Sequence, residues 1–437
     1  MLVEFTAWPS LPELFPTSFP GIQTGRDSLV VDIDYARLVQ RMSDYFDPAI
    51  SNIKLARRMP AAFENTTRFQ GEAVRRQLLH RGFLPDNILR YCYRPFDMRW
   101  LYWEPEANLL DQNRPDYVRQ PFKNNLWLEM RRKQRPAPFD RGYVVHTPAD
   151  GFGKGVSRFF PLYLSLENKQ YSYFETDGAA RHPNLSVKAM VYAKGLEVTA
   201  PNLFYHLVAV LHSPAYRAEQ AEALQQDWPR LPLPQSRAAL RQSATLGQKI
   251  VMLLNPEIKV PQVTTGPIRP DLAMLGQLRH VEAEPEGRSP KPDLALTAGW
   301  GQPGRNGNPG LGPGLIDERV YTAEERAAIE KGGASSGISF DQLDGYWGQN
   351  TYDIYLNETT YWANIPAPVW EYTAGGYPVL KKWLSYRENQ ILGRPLKPDE
   401  AEEIVHIARR IAALRLMTPT LNANYQAIKQ AMYHWSD

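Results

Sequence analysis

One cysteine, Cys92, stands in 437 residues, so the chain can form no internal disulfide and no thiolate-only metal site. Tyr91 and Tyr93 flank it, and a buried structural thiol is expected. Long apolar runs are missing too: no segment approaches the roughly 18 to 20 continuous apolar residues that a membrane span needs. The opening "MLVEFTAWPSLPELF" has neither the basic nor the apolar region of a signal peptide. These absences predict a soluble, cytoplasmic chain with no membrane partner. An excess of one charge is also lacking. The formal net charge of +3 is too small to mark a nucleic-acid protein by its total alone.

Catalytic motifs are equally scarce. No Gly-x4-Gly-Lys-Ser/Thr phosphate loop occurs, which excludes a self-contained motor ATPase. Gly151, Gly153 and Gly155 in "DGFGKGVSRFFPLYL" have the rhythm of a nucleotide loop, but an aromatic, strand-like run follows them where a helix would be required. A flexible loop between strands accounts for them better. His206 and His212 are six residues apart, a spacing that does not place both on one helix face as a metal pair. They read as core or surface histidines, and no metal site is expected. Ser213 lacks a Gly-x-Ser-x-Gly elbow, and the acids of "DEAEE" suit the first turn of a helix with Asp399 as its N-cap. No catalytic residue is assigned.

What remains is a chain long enough, and at 43% hydrophobic apolar enough, to bury a sizeable core. Residues 1–255 alternate strand-like runs such as "NILRYCY", "RWLYW" and "RFFPLYLSL" with helical stretches. Residues 256–350 are rich in Gly, Pro and charge, as in "GWGQPGRNGNPGLGPGL", and are expected to form a largely irregular excursion. Residues 351–437 return to strand-like alternation and then to helical periodicity in "DEAEEIVHIARRIAALRLM". The pattern predicts an α/β class with mixed α+β layout, in which a mixed sheet carries packed helices.

Charge is concentrated locally. Arg114 to Arg141 holds eight Lys or Arg against three Asp or Glu, interleaved with Tyr117, Phe122, Trp127 and Phe139. Basic residues among aromatics suit phosphate contacts beside stacking or packing surfaces, and equally suit a solvated helix end over core aromatics.

Six stretches in order carry a resemblance: "FPGIQTGRDSLVVD", "YRPFDMRWLYWE", "RFFPLYLSL", "LFYHLVAVLHSPAYRAEQAEALQQDWPRLPLP", "DLALTAGWG" and "VWEYTAGGYPVLKKWLSYRENQILGR". Together, over residues 15 to 420, they resemble the C-terminal specificity region of type ISP restriction-modification enzymes and related adenine-specific DNA methyltransferases. The family places a nuclease, a helicase-like ATPase and a methyltransferase core ahead of this region. The Asp/Asn-Pro-Pro-aromatic tetrapeptide of that core is absent here, since the chain contains no Pro-Pro dipeptide.

The resemblance implies a target-recognition module, non-catalytic alone, that binds duplex DNA in a bacterial restriction-modification or phage-defence system. The methyltransferase core would be a partner and would hold the S-adenosylmethionine. The chain would then be the recognition half of a split enzyme or an excised fragment. Two alternatives stay open: part of an active adenine methyltransferase whose core lies elsewhere, or an assembly subunit without base readout.

Such a module needs phosphate clamps and a few base-reading side chains, for which Arg to guanine and Asn or Gln to adenine are favoured. The candidates are Gln112, Asn113, Arg114, Arg119, Gln120, Lys123, Asn124 and Asn125 in a turn-rich segment, then Arg131, Arg132, Lys133 and Arg135 just beyond it. In "YRPFDMRW", Arg94 and Arg99 alternate with aromatics around Asp97, which would either form an internal ion pair or hold an arginine toward DNA. Lys381, Lys382 and Arg387 lie on a basic helix behind Gly375 and Gly376, a place suited to a phosphate. In "GIQTGRD", Thr24 and Arg26 would face the junction with the methyltransferase, Arg26 touching DNA or that core near the flipped base.

Overall fold

Apolar alternation between residues 88 and 102 builds an antiparallel hairpin, Ile88–Arg94 with Asp97–Tyr102, in which Leu89 faces Leu101 and Tyr91 faces Arg99. Pro95 and Phe96 make its turn, with Phe96 at φ 63°. The two-residue strand Val31–Asp32 adds to the hairpin's second strand. A second, four-stranded sheet orders Phe19–Pro20, Arg158–Pro161, Trp127–Met130 and Tyr143–Val145, all antiparallel. Within the computed structural model the described residues are 7–133, 142–152, 156–165, 181–281, 292–304, 308–334 and 340–435. Among them no sheet is wider than four strands, and the fold is mixed α+β.

The chain divides into two compact units, Met1–Val251 with Leu421–Asp437, and Met252–Thr420. These boundaries differ from the composition breaks at 255 and 350. In the first unit the aromatics of the basic segment turn inward. Tyr117, Phe122 and Trp127 are all buried, with the Phe122 and Trp127 rings stacked at 4.8 Å. They serve as core and not as a stacking surface, because three large rings gain more from burial than from exposure. Phe139 lies outside the described residues.

Helix Ala200–His212 is apolar on nearly all sides, and Phe204, Leu207, Val208 and Leu211 are buried as their spacing predicts. Ser213 caps the next helix, Pro214–Glu219, its Oγ accepting from the Tyr216 amide at 3.4 Å. Both histidines of this region are core residues. His206 donates from Nε2 to the Pro232 carbonyl at 3.0 Å, and its Nδ1 meets the Ser243 hydroxyl at 2.9 Å. Burial holds its pKa down at about 4, so the ring is neutral at physiological pH. His212 Nε2 bonds the Gly142 carbonyl at 2.8 Å.

The second unit centres on an antiparallel sheet ordered Gln277–His280, Thr360–Pro366, Asn350–Tyr355 and Ile316–Val320. The stretch read as irregular therefore supplies both edge strands, Gln277–His280 and Ile316–Val320, and the helices Ala323–Ala334 and Phe340–Trp347. One cation helps to order it: Arg319 pairs with Glu325 and with Asp353, each at 2.8 Å. The Gly/Pro-rich run closes around Trp300, which is fully buried and donates to the Tyr355 carbonyl at 2.8 Å. Gly314, at φ 67°, lies against that indole where no side chain would fit. In helix Pro398–Leu416 the N-cap is Lys397, with Pro398 at the first helical position and Asp399 one residue further in. Among the described residues no helix is long and apolar enough to cross a membrane.

Candidate nucleic-acid interface

The segment Gly21–Thr24 joins the two larger sheets of the first unit. Ile22 pairs in parallel with Asp150, Cys92 pairs in parallel with Ala149, and Gln23 pairs antiparallel with Gln112. Residues 112, 22–23, 149–150 and 92 thus form successive rungs of one short ladder. Alternation along it sends Ile22 and Thr24 inward, both almost fully buried, and leaves Gln23 half-buried. Gly21 sits so tightly on the Gly151 backbone that an added Cβ would lie 2.7 Å from it. The run "SLVVDID" has the apolar alternation of a strand, yet Asp27–Val30 is one helical turn ahead of Val31–Asp32. Asp27 drives the change by accepting from the Thr24 hydroxyl and, at 2.5 Å, from the Tyr93 hydroxyl.

Near this ladder lie Arg26, expected to touch DNA or the methyltransferase core, and Arg94 and Arg99, expected either to pair internally with Asp97 or to face DNA. Arg26 is buried, donating to the Leu109 carbonyl at 2.7 Å and to Asp111 at 2.8 Å, with its guanidinium 3.8 Å from the Phe69 ring centre. Burial lowers its pKa and the Asp111 carboxylate works against that shift. Arg94 is paired with Asp150 at 2.8 Å and Arg99 with Asp97 at 2.6 Å, both guanidinium groups lying within 4.0 Å of the Tyr93 ring centre. All three, and Thr24, are interior framework and not surface contacts. The physical reason is shared: a guanidinium enclosed by carbonyls, a carboxylate and an aromatic face has no donor directed at a groove. Asp150 is pushed up to about 6 by its burial, against the opposing pull of Arg94.

The basic segment splits into consumed and available groups. Asn113 donates to the Glu104 and Pro105 carbonyls, and Asn125 makes bonds at both ends of its amide, including 2.9 and 3.0 Å contacts with Tyr163. Gln120 accepts from the Ser165 amide at 3.2 Å. Arg131 is 3.9 Å from Glu129, and exposed Arg132 pairs with Asp227 at 2.7 Å. Lys133 is exposed, and Arg135 lies outside the described residues.

Arg114, Arg119, Arg158 and Arg181 have no carboxylate partner among the described residues. Arg114 donates from Nε to the Gly21 carbonyl at 3.3 Å, and Arg158 holds the Ser18 carbonyl at 2.5 Å. The two cations therefore flank one short strand. Burial lowers the pKa of both, and proximity to Arg114 lowers that of Arg158 further. Arg181 donates to the Asn124 carbonyl at 2.9 Å and lies over the Tyr163 ring, beside exposed Lys123 and Asn124. Arg114 and Asn124 adopt left-handed backbone at φ 52° and 54°, a conformation costing about 1–2 kcal/mol for a residue with a Cβ. Arg158 and Arg181 escaped the sequence reading because one opens an apolar strand and the other lies far beyond the basic run. Among the described residues no group of acidic, histidine or cysteine side chains could hold a metal.

In the second unit, Gly375 and Gly376 form the two-residue turn of a hairpin, Thr373–Ala374 with Tyr377–Pro378, and both have positive φ as a type I′ turn requires. The following helix, Val379–Arg387, carries the predicted cations. Lys381 is half-buried, and Lys382 donates to the Pro309 carbonyl at 2.8 Å. Arg387 is 1% exposed, stacked on Trp383 at 3.8 Å and 3.5 Å from Glu403, so it too belongs to the core.

A family model of the type ISP C-terminal specificity domain matches residues 13–417, and the chain belongs to that family. Three solved structures share its fold. The ATP-dependent Type ISP restriction-modification enzyme LlaBIII bound to DNA gives a TM-score of 0.58 at 16% identity, over 96% of this chain and 24% of that one. The DrdV–DNA complex, a cryoEM structure, gives 0.57 at 17% identity over 94% and 36%. A nuclease-deletion mutant of the Type ISP enzyme LlaGI with a DNA substrate mimic gives 0.54 at 17% identity over 96% and 29%. The chain thus spans between 24% and 36% of the length of these proteins. No curated protein sequence matches it.

Proposed function

We propose that this specificity domain is the duplex-DNA target-recognition module of a restriction-modification system and acts with a methyltransferase core that binds S-adenosylmethionine. The carrying observation is the band of arginines around Ser18–Gly21 and residues 114–124, none of which pairs with a carboxylate among the described residues. Holding Arg114 and Arg158 near one another costs repulsion, which a polyanion crossing the band would relieve. The DNA-bound relatives support the same polyanion, and this fold occupies 24% to 36% of their length, which is compatible with further parts in such an enzyme. In this division of labour the core extracts the target base while the present module holds the flanking sequence.

Titration of the chain with mixed-sequence duplexes at two salt concentrations tests the reading. Binding should weaken steeply as salt rises, with a log–log slope of about −0.9 for each phosphate neutralised. Absence of binding even at low salt would contradict it.

A further inference from the structure

Gln23 and Gln112 carry side-chain amides that the fold leaves unused among the described residues. Each backbone bonds the other across the rung, with the Gln23 amide donating at 3.0 Å and the Gln112 amide at 2.9 Å. This reciprocal exchange defines a hydrogen-bonded antiparallel pair, in which the two side chains leave on the same face from Cα atoms about 5.5 Å apart. Both residues are half-buried, and neither side-chain amide has a partner among the described residues. Their neighbours Asn113, Gln120 and Asn125 spend their amides on carbonyls and backbone N–H groups.

The placement of the pair is as specific as its chemistry. Arg114 lies two residues beyond Gln112, and its Nε bonds Gly21, two residues before Gln23. Arg158 grips the same strand at Ser18. The amides therefore sit between groups suited to phosphates, on a ladder fixed from below by buried Ile22 and Thr24.

We propose that Gln23 and Gln112 form a paired base-reading element. A primary amide offers one acceptor and two donors, which match the N7 acceptor and N6 donor of an adenine edge in the major groove. Two amides at this separation reach two neighbouring base pairs, which stack about 3.4 Å apart along a strand. The inference rests on the DNA-recognition reading and adds the residues and the base class to it.

The test uses the full chain and the duplex it selects from a randomised pool. Gln23→Ala, Gln112→Ala and the double variant are compared with the parent on that duplex and on single-base variants of it. At one or two adjacent positions the double variant should lose about 10- to 100-fold of its discrimination, while its salt slope and its affinity for non-target duplexes stay unchanged. Gln112→Glu should shift preference at its position from adenine toward cytosine, whose N4 group donates to a carboxylate. Unchanged discrimination in all variants would overturn the inference. So would an equal loss on every duplex at an unchanged melting temperature, which would make the pair a backbone contact. If the parent selects no sequence, the recognition reading itself fails, a result distinct from both.

Discussion

The double variant Arg114→Ala, Arg158→Ala should bind every duplex about 10- to 100-fold more weakly at physiological salt, and the log–log salt slope should shrink by about 2. Two cations are removed, and each is expected to displace about one counterion from the duplex. The loss should be uniform across sequences, because phosphate contacts position a protein without reading bases. Neither guanidinium belongs to a carboxylate pair among the described residues, so little of the effect should come from destabilisation. Fluorescence anisotropy at several salt concentrations, beside a thermal melt, measures both quantities. An unchanged slope would remove the band around Ser18–Gly21 from the footprint.

A second large effect is expected at Asp97→Ala, and it concerns stability. Asp97 and Arg99 are both almost fully buried, joined by bonds from Arg99 Nε at 3.1 Å and Nη2 at 2.6 Å. Removing the carboxylate withdraws a counter-charge from an enclosed guanidinium, a change that typically costs about 3–5 kcal/mol. The urea midpoint should fall accordingly, while the variant that remains folded at low temperature keeps the parent's sequence preference. A lost preference with no change in midpoint would instead place Arg99 at the DNA. The two experiments separate framework arginines from surface arginines, which one residue type conceals in a sequence.

That distinction explains what could be read before the fold was known. Helix Ala200–His212 and the hairpin Ile88–Tyr102 follow from local periodicity, since each buries a face that its own spacing defines. The ordered motifs pointed to the family that the domain match shows. The partner of an arginine is not local. Arg26 meets Asp111 and Arg94 meets Asp150, so neither ion pair can be read from its own neighbourhood, whereas the pair of Arg99 with Asp97 is local and is one of the two readings that "YRPFDMRW" offers. Conversely, Arg158 opens a strand of aromatics, and its position beside Arg114 arises only when Phe19–Pro20 pairs with Arg158–Pro161. Gln23 lies inside "GIQTGRD", a turn-like motif whose glycines and arginine carry the stronger local signal. Its pairing with Gln112 spans a chain separation that no window-based reading crosses.

Selection of duplexes from a fully randomised library by the isolated chain, sequenced after several rounds and repeated at high salt, tests the central claim most directly. The account expects one short sequence to be enriched, with the high-salt rounds sharpening it as phosphate-driven binding is lost and base contacts decide what survives. A pool that binds and elutes without enriching any sequence would contradict it.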